Sequence, residues 1–423
     1  MDGLIVLLNF NEYLGGGETL MVRYSEYLKS NKINFLSFCS SKSYVYSDLK
    51  KKIDHSYIRT TALNYNYFYL SELKRKELLY EIKTKIGKQL KVSLVSFNLR
   101  DLHIAFDLKK QIENLSITHL LLHPQDQLYL GQSLLDKLIY KLFLIRRFSF
   151  KKNIEINIKL LNILNDKKGL ISMGEIHNLH LKDNFGIQIS DYQTVPLPSF
   201  IDLEENKNKK VNTKKIIWIG RLVDFKIPAI VAMIHFVSSN SEYELSIVGS
   251  GDLRKVHNYM NKYSLNTKRV HFLGEIPYEN LEGIINQHSI GYAMGTSLIE
   301  LAKYKIPIII ALASFNHQFF KRQICGGLFF DKPKGCDGAD LMLTSPENIN
   351  TTINNSIKEI EFDFENISQN CYDYAKNNFS FNTNFKRYTE IINRTKILTE
   401  KEKQLQIPKS SMIRKFVFKC FGE

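Results

Sequence analysis

Several kinds of protein are excluded by what this chain lacks. Its five cysteines, Cys39, Cys325, Cys336, Cys371 and Cys420, are odd in number and never spaced C-x-x-C. That offers neither a disulfide framework nor a zinc site, and it fits a reducing, cytoplasmic setting. No window approaches the roughly 18 uninterrupted apolar residues of a membrane span. The opening MDGLIVLLNFNEY has no basic n-region and no small-residue cleavage site, so it reads as a first strand and not as a signal peptide. The glycine run that follows is not G-x-G-x-x-G, so no dinucleotide fingerprint is claimed. Zinc-finger, recognition-helix and aromatic RNA-binding signatures are also missing, which leaves charge as the only argument for a nucleic-acid partner.

What is present is a well-packed globular composition, with 44% hydrophobic and 12% aromatic residues in 423. That length favours two domains of roughly 180 to 200 residues each. The formal charge of +15 draws a protein toward nucleic acid, an anionic membrane face or an anionic substrate, and charge alone does not choose among them.

The stretch Lys215 to Ile227, KIIWIGRLVDFKI, organises the rest. Ile216 to Ile219 is an unbroken apolar run suited to a strand buried on both faces of a parallel sheet. Gly220 ends it. Arg221 and Lys226 follow at the carboxyl edge, where open α/β sheets present their ligand crevice. A guanidinium fork and a compact ammonium together suit a diphosphate; the bland alternative is two solvated cations.

Leu4 to Phe10 is a second strand of this kind, running into Gly15, Gly16 and Gly17. These open a helix with Leu20, Met21, Tyr24 and Leu28 on one face, and a helix N-terminus favours an anion. The alternation continues with strands at Ile33–Phe38, Ser93–Phe97 and Thr118–Leu122 and helical patterns at Leu70–Leu90 and Leu102–Ile112, which indicates a parallel sheet with helices on both faces. His123 follows its strand directly, as either a functional imidazole or a structural cap. Gln132 to Lys152 reads as an amphipathic helix with a basic side, fitted either to the core or to an anionic bilayer.

Val195-Pro196-Leu197-Pro198 and the charged run Glu204–Lys210 mark a boundary. It gives domains 1–197 and 198–380, with a C-terminal helix and basic-aromatic tail, 381–423, packing back on the first domain or on a membrane. In the second domain Tyr243–Val248, Val270–Leu273, Ser289–Ala293 and Ile306–Ala311 read as strands. Gly249-Ser250-Gly251 forms a glycine turn. Gly295, Thr296 and Ser297 open a helix with an anion-suited first turn, and Glu300 lies one turn further in, either as a carboxylate accepting two hydrogen bonds from a ribose diol or as an exposed surface glutamate.

The ordered series Gly220-Arg221-Leu222-Val223 with Lys226, Ile247-Val248-Gly249-Ser250-Gly251, Phe272-Leu273-Gly274, and Gly295 with Glu300 and Pro307 resembles the group 1 (family 4) glycosyltransferases of GT-B architecture. The Gly-Gly-Gly-Glu-Thr run looks like that family's first glycine loop. The likeness is continuous from about residue 212 to 312. It implies an α/β fold of two Rossmann-like domains facing across a cleft, a nucleoside diphosphate sugar held mainly by the C-terminal domain, a glycan or lipid-linked glycan acceptor held mainly by the N-terminal one, retention of configuration, and no cofactor or obligatory metal. The absence of any Asp-x-Asp agrees with a clamp made of cations. By the same resemblance Arg221 and Lys226 are the diphosphate clamp. Glu300 is the second glutamate of an E-x7-E motif whose first position is Tyr292.

The function expected from these residues is sugar transfer to a bacterial surface glycan at the inner face of the membrane, with peripheral contact to anionic lipid as an open possibility. Arg221 and Lys226 would be catalytic with His123. Gly15, Gly16, Gly17, Gly220, Gly249, Gly295, Thr296, Ser297 and Glu300 would bind the donor. Two rivals stand beside it: a non-catalytic GT-B protein binding a glycan or partner, suggested by Tyr292, and a basic nucleic-acid binder, suggested only by charge.

Overall fold

The computed structural model describes residues 3–12, 15–61, 67, 70–122, 148–201, 213–314, 321–338, 341 and 349–403. The chain forms two compact units. The first comprises Met1–Met173, His177–Val195 and Phe385–Glu423, and the second Gly174–Ile176 and Pro196–Asn384.

The first unit is a six-stranded parallel sheet of β1 (Leu4–Leu8), β2 (Phe35–Ser40), β3 (Ile58–Thr61), β4 (Val92–Ser96), β5 (Leu115–Leu121) and β6 (Leu170–Ser172), in the order β3-β2-β1-β4-β5-β6. β1, β2, β4 and β5 are buried along their whole length; β1 therefore reads as a continuous apolar run, while the other three bury Ser37, Ser93, Ser96, Ser116 and His119 through side-chain hydrogen bonds. The helix Gly16–Ser30 buries Leu20, Met21, Tyr24 and Leu28, the face expected from their spacing. Several elements escaped the sequence reading, among them the helix Glu175–Phe185 and three that bury little. β3 is an edge strand with only two of its four residues buried, β6 has three residues, and the helix Tyr44–Lys52 buries only Val45 and Leu49.

The helix Phe381–Arg394 places its later turns against this unit. Phe385 stacks on Tyr24 at 5.0 Å, and the Tyr24 hydroxyl bonds Thr389 Oγ1 at 3.0 Å. Of the basic amphipathic stretch, 132–147 lies outside the described residues and 148–152 begins the helix Phe148–Asp166. The tail from 404 onward also lies outside them. Among the described residues no helix is long and apolar enough to cross a membrane.

The second unit is a five-stranded parallel sheet of β7 (Lys215–Ile219), β8 (Glu244–Val248), β9 (Val270–Gly274), β10 (Ile290–Ala293) and β11 (Ile308–Ile310), ordered β11-β10-β7-β8-β9. Its ladder runs on past the strands into the glycine turns. Gly220 N donates to Val248 O, Gly249 N to Gly274 O, Leu222 N to Ser250 O and Asp252 N to Leu222 O, all within 2.9 Å. The backbones press so close that a Cβ on Gly249 would fall 2.1 Å from the Gly220 carbonyl oxygen, and one on Gly251 would fall 2.3 Å from that of Leu222. Both glycines also have φ near +140°, a conformation that side chains rarely adopt.

Gly249→Ala and Gly251→Ala should therefore each destabilise the second unit by about 2 to 4 kcal/mol, seen as a lower urea midpoint. Gly283 sits in the helix Tyr278–Ile285 with open space around it, so Gly283→Ala should raise the midpoint, by up to about 1 kcal/mol.

Candidate functional site

In an open parallel sheet the crevice lies beyond the carboxyl ends of the two strands where the order reverses. In the second unit these are β7 and β10. β7 is followed directly by Gly220 and Arg221, and β10 by Met294 and Gly295. The topology thus brings together two of the sequence-selected turns that lie some 75 residues apart in the chain.

Lys226 is the N-cap residue of the helix Ile227–Ser239, which has no acidic residue in its first turn. An ammonium at the positive end of a helix macrodipole is unfavourable by itself. The side chain is half-buried, and a Cβ on Gly220 would lie 3.4 Å from its Nζ. Burial, and then the like charge of Arg221, push the Lys226 pKa below 10.5, with Asp337 pulling the other way. Arg221 is exposed. Asp224, between the two cations in sequence, is turned to Lys255 at 2.8 Å. The result is a concentration of positive charge that this fold only partly offsets, chemically suited to an anion with several acceptor oxygens.

Gly220 and Gly249 spend their N–H groups within the ladder, so their contribution is close backbone approach and not amide donation. Gly295 has φ +68° and donates its N–H to Asp337 O at 2.7 Å. It caps the helix Thr296–Ala302, whose first turn carries Thr296 and Ser297. Glu300, on the same helix, is held at both oxygens: Lys303 Nζ donates to Oε2 at 2.6 Å and the Tyr278 hydroxyl to Oε1 at 3.1 Å. Tyr292 is fully buried in β10, 5.8 Å from the Trp218 ring, and its hydroxyl donates to Ala229 O at 3.1 Å. His123 lies outside the described residues.

The reversal in the first unit falls between β1 and β4, and its occupants went unnoticed in the sequence. Gly15 is the N-cap of the helix Gly16–Ser30, and Glu18, three residues on, returns its carboxylate to the helix start. Its Oε1 accepts from Asn9 Nδ2 at 3.3 Å and Asn11 Nδ2 at 2.7 Å, while Oε2 occupies the space a Gly15 side chain would need, 2.5 Å from the Cβ position. The anion at Gly15, Gly16 and Gly17 is thus the protein's own. From the helix Leu99–Leu108, which follows β4, Arg100 donates to Asn11 Oδ1 at 2.8 Å and reaches Asp101 at 3.5 Å. Burial pushes the Asp101 carboxyl up to about 7 against the opposing pull of Arg100. The Gly-x-x-Glu spacing at 15 to 18, that of a capping box, was the available signal for Glu18. Nothing local pointed to Arg100.

No protein-family model and no curated protein matches the chain. Solved structures do. Alr3699/HepE of Anabaena, with UDP and glucose, superposes with a TM-score of 0.58 over 93% of this chain and 99% of its own at 13% identity. The pneumococcal O-GlcNAc transferase GtfA, with UDP and GlcNAc, gives 0.56 over 93% and 99% at 10% identity. The lipopolysaccharide outer core galactosyltransferase WaaB, in its apo form, gives 0.53 over 92% and 99% at 16% identity. The chain has the α/β GT-B glycosyltransferase fold, two Rossmann-like units each built on a parallel sheet.

Because the folded state holds the Lys226 pKa below 10.5, the unfolded chain binds this proton more tightly. The charge costs stability at neutral pH, and the cost fades as pH rises from the folded value to about 10.5. Lys226→Met should raise the urea midpoint at pH 7 and hold no advantage by about pH 11. A lower midpoint at pH 7 would show that the ammonium is compensated from within.

Proposed function

We propose that this chain is a retaining glycosyltransferase that moves a sugar from a nucleoside diphosphate sugar to a bacterial surface glycan, one carried on a lipid at the cytoplasmic face of the membrane. The observation that carries it is the Arg221–Lys226 pair at the β7 edge, where like charges and a helix N-terminus converge without an acid in the first turn. A GT-B fold shared with structures that hold UDP and with a lipopolysaccharide galactosyltransferase supports the choice of donor and acceptor class.

As the glycosidic bond breaks, negative charge grows on the leaving diphosphate. The backbone that carries Arg221 and Lys226 is held in place beforehand, so they stabilise that charge with little reorganisation, and more strongly than they stabilise the ground state. Glu300 takes the ribose. Thr296 and Ser297, with Gly295 turning the chain, take the phosphate or the sugar, and Gly220 and Gly249 let the backbone approach. No metal is assigned to the step. Gly15, Gly16 and Gly17 are also assigned to the donor, and Glu18 beside them makes hydroxyl recognition more fitting there than phosphate binding. His123 is assigned to the acceptor. Peripheral contact with anionic lipid is part of the proposal and is carried by charge alone.

Burial of Tyr292, at the position of the first glutamate expected from the resemblance, favours a second reading: a GT-B protein that binds nucleotide or glycan without turnover. Two measurements separate them. Turnover or slow donor hydrolysis in a screen of UDP-, GDP- and ADP-sugars supports catalysis, and its absence with nucleotide still bound supports the second reading. With the active donor, Arg221→Ala and Lys226→Ala should each lower the rate by about 10² to 10³; near wild-type rates would refute the clamp.

A further inference from the structure

Glu300 carries two hydrogen bonds, and its geometry leaves a particular capacity open. A carboxylate offers about four acceptor positions, two on each oxygen. Lys303 takes one on Oε2 and Tyr278 takes one on Oε1. One position remains on each oxygen, the number that the two hydroxyls of a ribose diol require.

The two partners differ in kind. The Tyr278 residue is 66% exposed, at the start of the helix Tyr278–Ile285, and its hydroxyl is a neutral donor. The Lys303 side chain is only 4% exposed, and Glu300 is its one carboxylate partner among the described residues. A lysine is almost never this buried unless paired, so the ammonium has no water to turn to and the carboxylate is pinned with it. The two residues stand three apart, which places them on one face of a helical turn. A lone glutamate there would spread over several rotamers, and ordering it on binding would cost affinity.

We propose that Lys303 is a positioning residue for the donor's ribose: it holds the Glu300 carboxylate so that one acceptor position on each oxygen meets the 2′- and 3′-hydroxyls, and the site's preference for ribose over 2′-deoxyribose depends on it. This rests on the reading of Glu300 as the ribose ligand. Lys303 itself touches no ligand atom. Tyr278 tunes the same carboxylate from its exposed side.

The test is equilibrium binding of UDP, GDP and ADP, each beside its 2′-deoxy counterpart, to the wild type and to Glu300→Gln, Lys303→Met and Lys303→Arg, with thermal unfolding as the check on folding. For whichever base binds, the wild type should prefer the ribonucleotide by about tenfold or more. Glu300→Gln and Lys303→Met should bring that ratio to within about twofold, and Lys303→Arg, which keeps the charge, should retain most of it. If Lys303→Met does not fold, Lys303→Gln carries the same expectation, and the double variant Glu300→Gln/Lys303→Met removes both charges together. A general loss of packing weakens both nucleotides alike and leaves the ratio standing. A ratio that collapses in Glu300→Gln but survives in the folded Lys303 variants overturns the role of Lys303 and leaves the ribose reading intact. An unchanged ratio in Glu300→Gln, or a wild type that binds none of the nucleotides, overturns the ribose reading and this proposal with it.

Discussion

The peptide at Gly220 is fixed from three directions, and the direction in which Arg221 leaves the sheet follows from that. Its N–H donates to Val248 O, and its carbonyl accepts from the Trp218 indole at 3.2 Å. Gly249 then packs its bare Cα against the same carbonyl. None of these contacts involves a charged side chain. They are backbone and core interactions of a parallel sheet carried a few residues past its last regular pair, so the position of the cations is set by groups that cannot easily move. The helix that begins after Lys226 is buried along almost its whole length, Ile227 to Phe236 and Val237 included, so its N-terminus is as fixed as the strand.

Preorganisation of this kind has an electrostatic cost, and the two sheet reversals meet it in opposite ways. In the first unit the helix start that could receive an anion already holds one. Glu18 folds back beside Gly15, and Asn9 and Asn11 satisfy it. The second unit leaves its helix start with Lys226 and Arg221, and Asp337 is only a partial counterweight. A group that depresses the pKa of its neighbour destabilises the folded chain in proportion. Such an arrangement persists where the strain serves binding. The contrast, more than glycine content, distinguishes the second unit's reversal as the one whose positive charge the fold only partly offsets, since both loops are rich in glycine.

β1 and β7 were legible in the sequence because strands buried on both faces can appear as unbroken apolar runs, and the glycine turns because close backbone approach at strand ends needs residues without side chains. Arg221, Lys226, Gly295 and Glu300 could be found by the same logic, each being adjacent to a strand end. Strand order was not legible. Which carboxyl ends become neighbours is a property of the whole sheet, and it is the β1–β4 pairing that brings Arg100 to Asn11 across almost ninety residues of sequence. Elements with little to bury also escaped: Ile58–Thr61 lies at the sheet edge, and its sequence IRTT has one aliphatic residue. No local sequence feature separates Lys303 from the many other lysines of a basic chain. Only its burial beside Glu300 sets it apart.

Tyr292 brings these points together. It lies on the central part of the sheet, paired in register with Trp218 on β7 and Ile309 on β11, where an ionised carboxylate would be buried among aromatic and aliphatic groups at considerable cost. A tyrosine fits because its ring packs against Trp218. Burial also keeps its hydroxyl protonated, so that it serves as a donor to Ala229 O. Ala229 is in the first turn of the helix that Lys226 caps, and Tyr292 is three residues before Gly295. The side chain at this position therefore ties the start of the cationic helix to the strand that delivers the Gly295–Glu300 segment. A residue that looked like the loss of a sugar-binding acid acts here as a strut between the start of the Lys226-capped helix and the strand leading to Gly295.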